Sequence, residues 1–524
     1  MLDKILLWIV FACGVICYLT SCFAFSRHFI HMFQLNSYKP KVQLAWLNKN
    51  SKKYFIIGIV GIAIAHISLI FDTVIPSYAF VSAAASFMNA CGITHKSRKT
   101  PLAVTARVKR LCVTLGILLL LPALLILGGV EFLLRWLPYA LIIIVTLIPY
   151  IILLANLINR PVELAINRHY INDAKKIIGG CKNLRVIGIT GSFGKTSVKY
   201  FLDSLLSVKY NVLKTPGNFN TTLGVVRTIR GSLRATHEIF LCEMGAKNIG
   251  DIKEICDLVH PEMGIITSVG PMHLESFKSM ENVTKTKFEL ADASKILFAN
   301  FDNEYIAEEC KKRKAIPYGV DSHEGYYVSE LHVSERGSEF KITAPSGESC
   351  DYRTRLIGRH NVLNICGAIA VANTMGITLE ELKPAVRKLE SVPHRLELID
   401  KGGYTVIDDA YNSNPSGTKA ALEALSMCDG MKILVTPGMI ELGEMEYQLN
   451  KEFGGNAAAV CDYVALVGKK QTQPIYDGLV EAGYPEEKIY VADSLNDAMS
   501  KVYSLTSDGK RKIILLENDL PDNY

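Results

Sequence analysis

The sequence contains no C-x-x-C pair, although it has 13 cysteines in 524 residues. Scattered cysteines of this kind indicate free thiols in a reducing compartment and argue against a disulfide framework or a zinc site. The sequence also lacks the alternation of aromatic and basic residues that an RNA-binding sheet carries. Its net charge of +6 therefore does not predict a nucleic-acid partner.

Charged residues are scarce in five stretches near the N terminus, which are 5–26, 55–71, 73–94, 111–130 and 136–155. Each stretch has close to the ~20 apolar residues that cross a hydrocarbon core. A buried helix could account for any one of them, and a signal peptide could account for the first, although no convincing cleavage site follows it. Together they predict a helical membrane region with about five spans.

Basic residues cluster between these stretches, at residues 27–53 and 96–110. Basic loops stay on the cytoplasmic side of a membrane. Placing both loops inside requires two crossings between them, so the N terminus lies outside and everything after residue 159 lies in the cytosol. Because 55–71 is short for a span, four crossings are the alternative. We expect a multi-pass protein of the cell membrane whose other domains are cytoplasmic.

From residue 184 onward, short β-branched runs alternate with helical stretches. This order predicts an α/β fold with a parallel sheet and crossover helices. Alternating residues between 326 and 356 predict a small antiparallel addition, and a second α/β pattern begins near residue 392. We therefore predict a transmembrane region at 1–160, a middle domain at 161–392 and a Rossmann-like C-terminal domain at 393–524.

The segment GITGSFGKTS, residues 188–197, has the features of a phosphate-binding loop. Glycines at 191 and 194 let backbone N–H groups approach a phosphate, and Lys195 adds positive charge. Thr196 begins the following helix, where its hydroxyl could reach Mg²⁺. The spacing departs from G-x-x-x-x-G-K, because Ile189 stands at the first glycine position. A glycine-rich strand-to-helix turn without a nucleotide is the structural alternative.

This loop resembles that of the Mur ligase family, the ATP-dependent amide ligases of cell-wall precursor synthesis. The resemblance implies an ATP-binding middle domain and a reaction in which a carboxylate becomes an acyl phosphate that an amine then attacks, with ATP and two Mg²⁺ ions. Further segments match the family in order up to the C terminus. They are TPGNFNTTLG (215–224), CEMGAKNIGDI (242–252), SVGPMHLESF (268–277), TKFEL (286–290), NFDN (300–303), GRHNVLN (358–364), PHRLE (393–397) and IDDAYNSNPSG (407–417).

The resemblance assigns catalytic and metal-binding roles to five residues. Lys195 and Thr196 would hold the phosphates and the first Mg²⁺, and Glu243 would be a ligand of that ion. His273 matches a ligand of the second Mg²⁺, and Lys287 matches the lysine that this family carbamylates. The implied catalytic set is Lys195, Glu243, His273 and Lys287, and the implied metal set is Thr196, Glu243, His273 and Lys287.

The implied nucleotide site draws on both domains. Asn218 matches a polar residue near the phosphates and Asn300 one near adenine, whereas three residues of the last domain would arrive by domain closure. Taken singly, such residues could be helix caps or solvated surface groups, and only their joint order carries the prediction. The full set is Gly191, Ser192, Gly194, Lys195, Thr196, Asn218, Asn300, His394, Arg395 and Asp408.

The segments DDAYNSNP (408–415) and PGMIELGE (437–444) most resemble the MurF branch, which adds D-Ala-D-Ala to UDP-MurNAc-tripeptide. The apolar region stands in place of the UDP-sugar-binding domain of that branch. The first hypothesis is MurF-like addition of D-Ala-D-Ala to a muramoyl-peptide precursor, UDP- or lipid-linked, at the cytosolic membrane face. The second is a membrane-anchored ligase for a lipid-linked or polymeric carboxylate of the poly-γ-glutamate type. The third, outside the enzymes, is an ATP-binding scaffold of envelope synthesis.

Overall fold

The computed structural model describes residues 2–50, 101–127, 131–334, 337–410, 413–507 and 509–519. For residues 2–15, 17, 18, 121–127 and 131–142 the description covers the backbone only. The chain forms two compact units, of which the first extends to Arg168 and the second comprises His169–Leu520.

Three long helices dominate the described part of the first unit: Leu2–Leu35, Ala106–Leu127 and Glu131–Gly180, the last of which continues into the second unit. Residues 40–50 are also helical. The helices share a core that includes Phe29, Phe33, Leu111, Ile148 and Ile152. Their outward faces are apolar too, with exposed side chains such as Phe23, Val113, Ile117, Leu120 and Leu157. A helix that is apolar on all sides is suited to a lipid environment or to the interior of a larger protein.

One helical stretch of the described residues, Ile143–Gly180, is long and apolar enough to cross a membrane. Of the five predicted spans, 136–155 overlaps this stretch, and 5–26 and most of 111–130 are helical as well. Segments 55–71 and 73–94 lie outside the described residues. The structure therefore supports one candidate span, which is fewer than the predicted bundle.

The middle sheet of the second unit has nine strands in the order β2-β3-β1-β4-β5-β6-β7-β8-β9. Neighbouring strands from β2 to β7 are parallel, and β8 and β9 continue the same sheet in antiparallel pairing. The predicted parallel sheet is confirmed, and the antiparallel strands extend that sheet. The strands are β1 (Arg185–Thr190), β2 (Val212–Lys214), β3 (Ile239–Glu243), β4 (Met263–Ile266), β5 (Ile296–Asn300), β6 (Ile316–Gly319), β7 (Tyr326–Ser334), β8 (Gly337–Thr343) and β9 (Ser349–Thr354).

Helices cover both faces of the middle sheet, and an apolar core lies on each side. Strand β3 is buried along its whole length, as expected for a central parallel strand whose residues are apolar without alternation. The helices of this domain are Lys195–Leu206, Thr222–Ser232, Asp251–Val259, Leu274–Phe277, Met280–Ala293, Glu304–Cys310, Arg359–Thr374 and Leu379–Arg387.

The C-terminal sheet has six strands in the order β10-β11-β15-β12-β13-β14, and only the edge pair β10–β11 is antiparallel. The second predicted α/β domain is thus confirmed. The strands are β10 (Glu397–Asp400), β11 (Tyr404–Asp409), β12 (Met431–Thr436), β13 (Tyr463–Val467), β14 (Ile489–Ala492) and β15 (Lys512–Glu517). The helices are Pro415–Ser426, Glu446–Ala458, Gln473–Glu481 and Leu495–Ser504, with 3-10 turns at Gly443–Met445 and Glu486–Lys488.

Strands β3, β1 and β4 are adjacent and parallel, so their carboxyl ends meet at one edge of the middle sheet. Strand β1 leads into the glycine-rich loop, β3 ends on Glu243, and β4 leads toward His273. In open α/β sheets, ligands bind outside the carboxyl ends of the strands. This edge is therefore where the candidate site is built.

Candidate active site

The glycine-rich loop joins β1 to the helix Lys195–Leu206 in a conformation that requires its glycines. A Cβ on Gly191 would lie 2.0 Å from Thr267 Oγ1 and 2.9 Å from Ser268 N. Gly194 has φ +80° and forms the N-cap of the helix without any side-chain cap. The first backbone N–H groups of that helix therefore have no side-chain acceptor, which makes them available to an anion.

The loop after β4 holds the glycine-rich loop in place. Ser192 Oγ donates to Gly270 O at 3.1 Å, and Phe193 N donates to Ser268 Oγ at 2.8 Å. Ser192 is 3% exposed. Its hydroxyl thus rigidifies the loop from within.

Lys195 lies folded over the loop that it follows. Its Nζ donates to Gly191 O at 2.6 Å and to Ser192 O at 3.3 Å, and the residue is 9% exposed. Burial lowers the pKa of Lys195 to about 8; the charge of Glu243 opposes this and that of Arg395 adds to it. Arg395 belongs to the C-terminal domain, so its charge acts on the loop of the other domain.

Glu243 is a buried carboxylate with three side-chain donors. Lys199 Nζ lies 2.8 Å from its Oε2, and Thr196 Oγ1 and Asn220 Nδ2 each lie 3.2 Å from its Oε1. Both ends of the Lys199–Glu243 ion pair are shielded from solvent, with side-chain exposures of 0% and 2%. Asn218, which matches a polar residue near the phosphates, is exposed and stays a prediction. Asn220, two residues later in the same loop, makes the contact with Glu243.

Lys287 is a buried amine on the helix Met280–Ala293. It is 2% exposed, and its Nζ makes no hydrogen bond within the described chain. Burial, together with the charge of Lys195, lowers the pKa of Lys287 to about 7. Glu289, its neighbour in the K-x-E segment, instead accepts from Gly250 N at 2.7 Å and Lys253 N at 2.8 Å, so it stabilises the start of the helix Asp251–Val259.

His273 is held by a residue of the other domain. Its Nδ1 contacts Glu441 Oε2, and Lys247 Nζ lies 3.0 Å from Glu441 Oε1. Burial lowers the pKa of His273 despite the opposing effect of Glu441. The hydrogen bond with His273 and the charge of Lys247 outweigh burial and hold the pKa of Glu441 below its usual range.

Glu441 was not among the residues predicted from the sequence, although it lies within the segment PGMIELGE that pointed to the MurF branch. The pairing leaves Nε2 of His273 as the nitrogen for a ligand. A carboxylate that orients a metal-binding histidine through its other nitrogen is a recurrent arrangement in metal sites.

The remaining predicted residues divide between the interior and the surface. Asn300 is 2% exposed, and its amide donates to Thr267 O at 2.9 Å and accepts from Asp302 N at 3.0 Å, so it supports the loop after β4. His394 Nδ1 lies 2.8 Å from Asp408 Oδ2, and the two carboxylates Glu397 and Asp408 with His394 place ligand atoms within 4.8 Å of one another.

The site thus combines uncapped helix N–H groups with three cations, in which Lys195 repels Lys287 and Arg395 repels Lys195. Such a cluster is suited to a polyanion, whose charge would offset the repulsion. The Thr196 hydroxyl and the Glu243 carboxylate are oxygen ligands in contact, which is the donor type that Mg²⁺ prefers. The residues therefore fit a nucleoside triphosphate with a magnesium ion.

Comparison with known proteins places this site in a family. Residues 189–372 match the Mur ligase middle domain, and residues 394–516 match the Mur ligase glutamate ligase domain. The chain is 32% identical over 336 residues to the UDP-N-acetylmuramoyl-tripeptide--D-alanyl-D-alanine ligase of Escherichia coli, covering 60% of this chain and 73% of that protein. The ligase of the same name from Bacillus subtilis is 33% identical over 275 residues, and there the chain spans 59% of the relative's length and 52% of its own.

Solved structures agree with these matches. The MurF ligase of Thermotoga maritima in complex with ADP superimposes with a TM-score of 0.61 at 26% identity, covering 67% of this chain and 80% of that one. MurF from Acinetobacter baumannii gives a TM-score of 0.62 at 25% identity over 67% of this chain and 77% of that one. The chain therefore belongs to the Mur ligase family.

Proposed function

We propose that this chain is an ATP- and Mg²⁺-dependent ligase that forms an amide bond between a carboxylate and an amine. The observation that carries the proposal is the convergence of Lys195, Lys287 and Arg395 around an uncapped phosphate loop. As in the relatives named above, the product would be a muramoyl tripeptide extended by D-Ala-D-Ala.

The reaction needs the negative charges of a carboxylate and a triphosphate to be brought together. The carboxylate oxygen attacks the γ-phosphorus and ADP leaves, which gives an acyl phosphate; the amine then attacks the acyl carbon, and phosphate leaves with loss of a proton from the nitrogen. Lys195 and the first-turn N–H groups would hold the phosphates, and Arg395 would add a cation from the C-terminal domain. Removing one such preorganised group typically costs a hundredfold or more in rate.

Magnesium would neutralise phosphate charge and orient the transferring group. Thr196 and Glu243 are the residues that would hold the first ion, and His273 Nε2 the second. Domain closure matters here, because Glu441 orients His273 from the C-terminal domain.

Lys287 is the proposed site of carbamylation. The reaction needs a neutral amine, which attacks CO₂ and loses a proton to give a carbamate. A buried lysine with a pKa of about 7 supplies that amine at physiological pH. The resulting anion would also relieve the repulsion from Lys195. Carbon-13 NMR of the protein in labelled bicarbonate tests this: a carbamate signal is expected in the wild type and not in Lys287→Arg.

We further propose that the first unit anchors the enzyme in the cell membrane as a multi-pass bundle, with the catalytic domains in the cytoplasm. Exposed apolar side chains on three helices and the candidate span Ile143–Gly180 support this. The domain division at residues 160 and 392 belongs to the same proposal. Resistance of the protein to alkaline carbonate extraction is expected, whereas release into the supernatant would contradict the placement.

The membrane placement favours a second candidate substrate, an acceptor carried on a lipid or a polymeric carboxylate of the poly-γ-glutamate type. Both family matches fall after residue 188, so the first unit lies outside them. Confinement of enzyme and acceptor to one surface raises their effective concentration.

The deciding experiment measures ADP release by the full-length protein in detergent with ATP, Mg²⁺ and D-Ala-D-Ala. UDP-MurNAc-tripeptide is compared with the corresponding undecaprenyl-linked muropeptide, and product masses are read. Lys195→Ala should abolish release, while Lys182→Ala, which removes an exposed lysine, should not. Activity of Lys195→Ala equal to the wild type would contradict the proposal.

A further inference from the structure

A polar cluster lies among the helices of the first unit, and the proposed ligase reaction does not use it. We call it the arginine cluster; its members are Tyr38, Arg107, Arg110, Asn156, Asn159 and Glu163. Residues 107 and 110 share one helix face, and residues 156, 159 and 163 share a face of another helix, because their spacings are three, four and seven. Asn156 and Glu163 are 8% and 7% exposed.

The cluster carries one positive charge in excess. Arg110 is neutralised by Glu163, which it meets through two contacts of 2.7 and 2.9 Å. Arg107 has no such partner in the described chain. Its Nη2 donates to Asn156 Oδ1 at 3.3 Å, and its guanidinium lies 4.0 Å from the centre of the Tyr38 ring. The stacking fixes the plane of the Arg107 guanidinium but does not neutralise its charge.

Two buried donors of the cluster also lack an acceptor. Arg107 Nε and Asn159 Nδ2 have no hydrogen-bond partner among the described residues. The oxygen of the Asn159 side chain is already occupied by the Thr114 hydroxyl at 2.8 Å. Buried polar groups are nearly always paired, and both of these are N–H groups, so the missing partner is an acceptor.

The first unit has few acids that could be that acceptor. Residues 1–168 contain four acids, Asp3, Asp72, Glu131 and Glu163, against sixteen lysines and arginines. Glu163 is engaged by Arg110, and Asp72 lies outside the described residues, as does Asp522 of residues 521–524, which also belong to this unit. An external anion is therefore the better match for the excess charge.

The cluster lies beside exposed apolar side chains of the first unit. Exposed apolar residues begin six positions after Arg107 on the same helix, at Val113, and continue with Ile117. Six residues of helix rise about 9 Å. If this surface faces lipid, Arg107 lies at the depth of the headgroups, where basic pockets between helices bind lipid phosphates.

We propose that the arginine cluster is a binding site for the phosphate headgroup of a membrane lipid. The inference rests on the membrane placement proposed above and deepens it, because a lipid-carried acceptor would bring such a phosphate to this face. Arg107 would donate through Nε and Asn159 through Nδ2, while Tyr38 and Asn156 hold Arg107 in position.

Native mass spectrometry of the full-length protein in neutral detergent tests the site, with phosphatidic acid as the probe. Arg107→Gln should weaken binding by about tenfold or more, the loss expected for a charge-assisted hydrogen bond. Arg107→Lys should weaken it too, because an ammonium lacks the planar fork. The matched control Lys109→Gln removes an exposed cation two residues away, and should weaken binding by about fivefold at most.

Equal losses for Arg107→Gln and Lys109→Gln would overturn the proposal, since binding would then follow surface charge alone. Displacement of the lipid by inorganic phosphate at low concentration would also overturn it, because the site would then be one for free phosphate. Melting temperatures of the variants distinguish loss of binding from loss of fold. If Arg107→Gln does not fold, the lipid affinity of Arg107→Lys tests the site instead. Carbonate extraction and ADP release are measured on the same preparation, so failure of the membrane placement or of the ligase activity is seen separately.

Discussion

At the scale of single residues, the contact between His273 and Glu441 joins the two catalytic domains at a proposed metal ligand. Glu441→Gln keeps the size of the side chain but removes its charge. Loss of a group that orients a metal ligand typically lowers metal affinity by about 10- to 100-fold. We therefore expect the Mg²⁺ concentration for half-maximal ADP release to rise by that factor, with a smaller effect on the maximal rate.

The control for this prediction is Glu444→Gln, which removes an exposed carboxylate from the same loop. It should leave the Mg²⁺ dependence unchanged. If the Mg²⁺ dependence of ADP release is also unchanged in Glu441→Gln, Glu441 serves only to pair with Lys247. In that case Lys247→Met should cause the same defect as Glu441→Gln.

The buried amine of Lys287 makes stability depend on pH. Its pKa falls to about 7 in the folded chain, whereas an unfolded lysine titrates near 10.4. Between these values the unfolded state binds more protons, so burial of Lys287 destabilises the fold increasingly as pH falls toward 7. Lys287→Met should thus raise the melting temperature more at pH 7 than at pH 9. Its gain in the free energy of unfolding should be about 2–3 kcal/mol larger at pH 7.

The measurement is thermal unfolding in buffer free of CO₂, nucleotide and Mg²⁺, so that carbamylation does not contribute. A gain that is the same at both pH values would show that the amine stays charged in the folded state, so that burial does not lower its pKa. Lys182→Met replaces an exposed lysine. The change in melting temperature that it causes should be the same at both pH values.

The sequence predicted the residue types of the site better than their contacts. The glycines and Lys195 follow from local spacing, because a strand and the next helix fix where they lie, whereas Glu243 followed from the resemblance to the Mur ligase family. Lys199 and Glu441 were missed: Lys199 pairs with a carboxylate 44 residues away and Glu441 with a histidine 168 residues away. Contacts of that range depend on strand order and domain closure, which no local pattern encodes.

At the scale of elements, the turn between β1 and the helix Lys195–Leu206 is packed against the loop after β4. Gly191→Ala would place a methyl group 2.0 Å from Thr267 Oγ1, where backbone as well as side chain must move. We expect the affinity for ATP, measured by calorimetry on the full-length protein, to fall by at least about tenfold, because displaced N–H groups no longer meet the phosphates.

Gly231→Ala is the matched control for that change, since a Cβ there meets no atom within 4 Å. It lies in the helix Thr222–Ser232, where alanine is favoured over glycine by about 0.5–1 kcal/mol. Unaltered ATP affinity in Gly191→Ala would mean that the loop can shift without loss of the phosphate site.

The elements themselves were predictable where hydrophobic runs were continuous and bounded by turns. Strands β1, β3, β11, β12 and β13 coincide with such runs. The antiparallel strands were foreseen as an addition, but their place in the main sheet was not, because β7 pairs with β6 through only two residues at Tyr318 and Gly319. A pairing that short leaves no pattern in the sequence.

At the scale of the whole molecule, the second unit has the apolar cores of both sheets within itself, and residues 169–180 of the long helix belong to it. Ala174 there is fully buried, and Asp173 accepts from Arg230 at 2.6 Å. The composition of the first unit predicted its helices, but a count of membrane spans needs the relation of each helix to lipid, and sequence alone does not give that.

These features lead to a prediction for a chain of residues 169–524. It should be soluble and should bind ATP as tightly as the full-length protein, because every residue of the proposed nucleotide site is retained. Its turnover of a soluble UDP-linked acceptor should equal that of the full chain. With an acceptor carried in vesicles, turnover should fall by about 10²-fold or more, the advantage that confinement to one surface typically confers. Equal turnover of the vesicle-bound acceptor by both chains would show that the first unit contributes neither anchoring nor substrate binding to the reaction.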